Sequence, residues 1–181
     1  MNYRAFIEDD DTPFRIEYYH NPSRWIKNAV ATDNPIMDVN KWSQEIKYMN
    51  KVNENDFSIS DDIRNLPTDT GGIYIFFIKG ISLPFIENYI VYIGRCQYTE
   101  AQNINKRAKE YFVNDYLRGE RLMIQKMFKH WKDHLYYRYY PDTDNDNIKR
   151  NEAQLIRAIL PPLNEVIPDK MDIRETIPAF N

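Results

Sequence analysis

The longest uninterrupted apolar run of the chain, Gly71 to Ile78, constrains its fold more than any other feature. The run is rich in isoleucine and aromatic residues and stops at Lys79, far short of the roughly 20 residues that a membrane-spanning helix takes. It therefore reads as a buried strand and excludes a transmembrane helix at the most apolar point of the sequence. Directly before it stand Asn65-Leu66-Pro67 and Thr68-Asp69-Thr70-Gly71-Gly72, which is turn chemistry, so a structural unit is expected to begin near Leu66. From there the pattern predicts a strand over 73–78, a turn or insertion over 79–88, a strand over 89–93, and helices over 104–112 and 120–134. A strand over 135–140, an acidic loop over 141–147, a helix over 148–160 and an irregular tail complete the order. This is an α/β sandwich in which a small mixed, mainly antiparallel β-sheet is flanked by helices.

Residues 1–65 form an extension of different character. A strand is expected over Phe14 to Tyr19, then a helix from an Asp38 cap with Val39, Trp42, Ile46 and Met49 on one face. The extension carries 8 Lys+Arg against 12 Asp+Glu, while residues 66–181 carry 16 against 15, so the acidity of the chain belongs to its front. Within the second part, Ile104 to Arg138 holds nine basic and four acidic residues, enough to form a phosphate-facing patch. At 181 residues the chain suits one domain with a substantial extension. Cys96 is the single cysteine, so no intramolecular disulfide is possible. The opening MNYRAFIEDDD has no secretory pattern, which makes a cytoplasmic location the expectation.

Two polar residues stand out against the helical periodicity. In the last helix Ile148, Leu155, Ile156 and Ile159 form an apolar stripe, and Glu152 falls on it. A carboxylate facing inward must be paired, hydrogen-bonded, protonated or bound to a metal, since even a neutral polar group left unsatisfied costs roughly 2–7 kcal/mol. In the helix over 104–112, Ile104, Ala108, Tyr111 and Phe112 form the apolar face and Arg107 borders it. Two strands carry tyrosines in short glycine-bounded segments, Gly72-Ile73-Tyr74 and Tyr92-Ile93-Gly94. By contrast His130 and His134, four apart, lack a third ligand for zinc, Trp131 lies among the apolar positions of its helix, and Cys96 has no neighbouring histidine to activate it.

Taken together, Gly72-Ile73-Tyr74, Tyr92-Ile93-Gly94-Arg95, Arg107, Glu152 and Asn164 after Leu160-Pro161-Pro162-Leu163 resemble the GIY-YIG nuclease family, over roughly Leu66 to Pro168. The resemblance implies a metal-dependent endonuclease that hydrolyses DNA phosphodiesters with one divalent cation, Mg²⁺ or Mn²⁺. Glu152 would be its protein ligand, a role suited to a hard cation that keeps several waters. Arg107 would clamp the scissile phosphate with its planar fork of donors. Tyr74 or Tyr92 would accept the proton of the attacking water, which requires lowering a phenol pKa of about 10. Asn164 would fix a tyrosine or a phosphate, and Arg95, Lys106, Lys109, Lys126 and Lys129 are candidate DNA contacts.

Three features depart from the family pattern. Tyr111 stands where many members carry histidine, the KGISLPFIEN stretch over 79–88 lengthens the gap between the two motifs, and residues 1–65 match nothing in it. The functions to weigh are a stand-alone nuclease of restriction, phage-defence or mobile-element type, a repair or structure-specific nuclease, and a DNA-binding module that has lost activity. One active site cuts one strand, so double-strand cleavage needs two nicks, a partner or a homodimer.

Overall fold

A computed structural model describes residues 37–54, 56–83 and 86–164. The strand expected over 14–19 and the tail beyond Asn164 lie outside the described residues. The elements are β1 (Ile46–Lys47), β2 (Met49–Lys51), β3 (Phe57–Ile59), α1 (Asp61–Arg64), β4 (Gly71–Leu83), β5 (Ile86–Cys96), α2 (Ile104–Glu110), a π-helix (Tyr111–Leu117), α3 (Leu122–Trp131), β6 (Leu135–Asp142) and α4 (Asn145–Ile159).

The β-prone runs form a long antiparallel hairpin, β4 against β5. The stretch over 79–88, expected as a turn or insertion, continues both strands, with Lys79 opposite Asn88 and Leu83 opposite Ile86. It is a plain hairpin extension, accommodated by register shifts at Phe76/Phe77 and Lys79/Leu83. The first shift has a consequence for side-chain direction. Phe76 lies opposite Tyr92 but Phe77 opposite Ile90, so Val91 is an extra residue on β5, and the alternation of faces resets there.

A four-stranded sheet results in the order β1-β6-β4-β5, with every pairing antiparallel, beside a separate β2-β3 hairpin. The expected mixed sheet is thereby corrected. β5 and β6 run in the same direction, but the helical connection delivers β6 to the far side of β4, so no parallel neighbours arise.

The helix expected from Asp38 is also corrected. Asp38 caps one 3₁₀ turn, Val39–Lys41, by accepting from the Asn40 amide, and the chain then extends into β1. The open edge of β6 recruits it: the Ser43 amide donates to Tyr139 O at 2.8 Å, and Tyr48 N to Leu135 O at 3.0 Å. Inter-strand bonding along an exposed edge outweighs the helical spacing of Trp42, Ile46 and Met49. The buried Tyr48 hydroxyl donates to Ala108 O on α2 at 2.6 Å, and Asn105 donates to the carbonyls of Arg64 and Leu66, so residues before and after Leu66 share one core.

Each face of the sheet is covered. Tyr74, Phe76, Ile78, Tyr89 and Val91 pack with Ile104, Ala108, Tyr111, Ile124, Met127 and Phe128. On the opposite face Ile73, Ile93 and Tyr140 pack with Ile148 and Ile156 of α4. Asp144 caps α4 by accepting from the amides of Asp146 and Asn147, which starts the helix at Asn145, ahead of the expected Ile148. The helix expected over 120–134 gives way to a 3₁₀ turn at Lys132–His134, so His130 and His134 do not share one α-helical face.

Candidate active site

The two glycine-bounded motifs lie side by side in the sheet. Tyr74 is opposite Gly94, and Ile73 opposite Arg95. A Cβ added to Gly94 would lie 2.6 Å from Cζ and from the hydroxyl oxygen of Tyr74, so the glycine is the space into which the phenol folds across β5. Gly72 adopts φ +138°, and a Cβ there would meet the Tyr140 carbonyl oxygen at 2.0 Å. Both glycines answer to close approach, one to a side chain and one to the β6 backbone.

The Tyr74 hydroxyl is buried and has two hydrogen-bond partners. It shares a hydrogen bond of 2.7 Å with the Tyr111 hydroxyl and accepts from Arg107 Nε at 3.2 Å. Arg107 is steadied from its own helix by Glu110, its Nη1 donating to Glu110 Oε2 at 2.8 Å. Tyr111, at the first position of the π-helix, is thus a hydrogen-bond partner of Tyr74. Tyr92 packs its ring against Phe76 and Tyr111 at centroid distances of 6.4 and 5.9 Å, beside this network.

Burial drives the phenols of Tyr74, Tyr92 and Tyr111 above the ordinary tyrosine range. At Tyr74 the charge of Arg107 and the bond from Tyr111 pull the other way and do not prevail. Burial therefore holds Tyr74 neutral, opposite to the direction that proton acceptance asks for.

On the other face of the sheet, Arg95 Nη1 donates to Glu152 Oε2 in an ion pair. The Glu152 side chain is 13% exposed and that of Arg95 38%. Burial raises the Glu152 carboxyl above its ordinary value, while Arg95 and, secondly, Arg107 lower it. Arg95 stands opposite Ile73, next along β4 to Tyr74, so the ion pair and the phenol network lie at the same end of the hairpin on opposite faces.

Asn164 pins the end of the α4 segment to β5. Its Oδ1 accepts from Ile93 N at 2.9 Å and its Nδ2 donates to Ile93 O at 2.7 Å, while Leu163 N donates to Val91 O at 3.1 Å. Of the two roles expected for Asn164, tyrosine or phosphate partner, neither matches these contacts: it binds the backbone between Tyr92 and Gly94. Both of its polar atoms are occupied there, which makes it a strut.

Of the basic candidates, Arg95 shares an ion pair with Glu152. Lys106 is exposed on α2 and donates to Ala101 O at 3.0 Å, and Lys109 lies on the same helix, half-buried. Lys126 and Lys129 are on α3. Cys96 is buried and its thiol is pushed up to about 11 by burial, an inert state rather than a nucleophile.

Two further residues belong to the site. Arg121, the residue before α3, donates from Nε to Asp115 Oδ1 at 2.9 Å and from Nη2 to Asp115 Oδ2, with its guanidinium 4.5 Å from the Tyr111 ring centroid. Arg121 was visible only as one of nine basic residues, and the burial of Asp115 depends on the π-helix, which leaves no periodic trace.

A divalent cation requires a carboxylate that it can reach. Among the described residues no group of three or more His, Cys, Asp or Glu gathers as a cage. Glu152 nevertheless suits a cation of the Mg²⁺ class, which is held through one or two carboxylates and retains its waters. Its carboxylate is partly exposed, and Arg95 engages Oε2.

No protein-family model, curated protein or solved structure matches this chain.

Proposed function

We propose that the protein is a metal-dependent DNA endonuclease of stand-alone type, which hydrolyses one phosphodiester per active site. The observation that carries the reading is the register of the hairpin: Arg95, the ion-pair partner of Glu152, lies opposite Ile73, next along β4 to Tyr74, whose hydroxyl accepts from Arg107. A phenol, a guanidinium and a carboxylate converge at one end of a hairpin, and that donor set suits phosphoryl transfer.

In this reading Glu152 holds Mg²⁺ or Mn²⁺, which supplies charge stabilisation at the phosphate oxygens and leaving group. Arg107 offers its remaining guanidinium donors to the non-bridging phosphate oxygens. Tyr74, in its ionised phenolate form, accepts the proton of the attacking water and becomes the neutral phenol, with Tyr111 as hydrogen-bond partner. Because burial lifts the Tyr74 phenol, its active form grows with pH. The nicking rate then climbs about tenfold per pH unit between roughly pH 6 and 9, and Tyr74→Phe abolishes that climb. A rate independent of pH over this range contradicts the role.

The ion pair of Arg95 with Glu152 favours a second reading, a DNA-binding module that does not cleave, because it already gives the carboxylate a partner. Nicking of supercoiled plasmid in Mg²⁺, Mn²⁺ or EDTA separates the two. The endonuclease reading expects metal-dependent nicking that Glu152→Gln lowers by about 10²–10³-fold, the loss on removing one charge-stabilising group. DNA binding without nicking in either metal supports the module, and EDTA-resistant cleavage defeats both.

A further inference from the structure

Arg107 and Arg121 reach Tyr111 from different elements. Their guanidinium carbons lie 5.1 and 4.5 Å from the centroid of that one ring, so the two cations are less than about 10 Å apart. Arg121 is held with unusual firmness for a residue at a loop end. Its fork is bidentate on Asp115, whose side chain is fully buried, while 41% of the Arg121 side chain stays exposed. Nε and Nη2 donate to the carboxylate and the group also engages Tyr111, which leaves part of its five N–H donors for a ligand.

We propose that Arg121 is a second phosphate-binding residue, taking a DNA phosphate that neighbours the one held by Arg107. A surface ion pair normally contributes little and moves freely. Here the buried carboxylate and the tyrosine ring fix both the plane and the tilt of the guanidinium, so little rotamer freedom is left to lose on binding. Phosphate recognition by arginine depends on that kind of planar presentation. The π-helix is the enabling feature, since Tyr111 at its first position and Asp115 within it supply the ring and the carboxylate that hold one guanidinium. Asp115 orders the donor without touching the phosphate, so its removal weakens binding through lost order while the charge contact that sets the salt slope stays in place.

The inference rests on the nucleic-acid reading of the site but not on cleavage, so it is tested by binding in EDTA. A fluorescently labelled DNA duplex is titrated with wild type, Arg121→Gln, Arg121→Lys and Asp115→Asn at several salt concentrations between about 50 and 200 mM. Arg121→Gln is expected to flatten the plot of log affinity against log salt by about 0.9, the contribution of one phosphate. Arg121→Lys and Asp115→Asn keep the slope and bind several-fold more weakly, the first through the lost planar fork and the second through lost order. An unchanged slope in Arg121→Gln overturns the proposal, as does a slope in Asp115→Asn flattened as far as in Arg121→Gln, which makes the pair a brace for the π-helix. If Arg121→Gln does not fold, Arg121→Lys decides: an affinity equal to that of wild type overturns the proposal. Wild type that binds no DNA overturns this proposal together with the reading beneath it, whereas binding without nicking in Mg²⁺ removes the nuclease alone.

Discussion

The two faces of the sheet are held by different forces. Behind Tyr74 the layer is aromatic: Tyr48, Tyr74, Phe76, Tyr111 and Tyr137 are all fully or almost fully buried, with neighbouring ring centroids 5.0–6.3 Å apart. Behind Ile93 the cover is α4, a smaller aliphatic cluster bordered by an ion pair that solvent reaches. One face fixes a phenol where water is scarce, and the other places a carboxylate where ions can enter. A site made at their meeting point can keep its hydrogen-bonding partner rigid and its charged ligand accessible.

The largest expected effect breaks the aromatic face at its tightest contact. Gly94→Ala inserts a methyl against the Tyr74 ring, and overpacking of this kind costs about 1–3 kcal/mol. A urea titration should show that loss, with nicking lowered about 10²-fold because a small misplacement of a reacting group has that consequence. Unaltered nicking would mean that the position of Tyr74 is immaterial. Next in size, Asn164→Ala removes two hydrogen bonds to Ile93, each contributing about 0.5–1.5 kcal/mol, and should lower stability accordingly while leaving metal dependence intact. Tyr92→Phe sharpens the comparison further. Its ring packing survives, so nicking should fall by less than about tenfold, against the lost pH dependence of Tyr74→Phe.

The smallest effect at neutral pH is the one that distinguishes the faces by titration. Burial raises the phenols of Tyr48, Tyr74, Tyr111 and Tyr137 in the folded chain. The unfolded chain thus loses its phenolic protons first, near the free value of about 10, and stability falls as pH rises beyond it. Denaturation midpoints should be level from pH 7 to about 9 and decline above pH 10. A midpoint that stays level past that point would show that the tyrosine face ionises without cost.

The strands around Tyr74 and Tyr92 were legible because long apolar runs with glycine and proline punctuation have few alternatives. So was the inward position of Glu152, which interrupts an aliphatic stripe. In the front segment the spacing of Trp42, Ile46 and Met49 suits a helix, and the force that overrides it, the open edge of β6, comes from residues nearly a hundred positions later. Arg121 and Asp115 were illegible for a related reason. Their pairing depends on a π-helix, and side-chain spacing of the 3.6-residue kind does not register an i to i+5 turn. Likewise the burial that raises the Tyr74 phenol comes from rings distant in sequence, among them Tyr111 and Tyr137.

The central claim is that both faces serve one metal-dependent site, and Mn²⁺ titration of protein labelled with ¹³C at the tyrosine ζ-carbons tests it most directly. Paramagnetic broadening should reach the Tyr74 and Tyr111 signals first and spare Tyr89, which lies opposite Ile78, four positions along β4 from Tyr74. Glu152→Gln should abolish the effect. Broadening that persists in Glu152→Gln, or that strikes Tyr89 as early as Tyr74, would contradict the account.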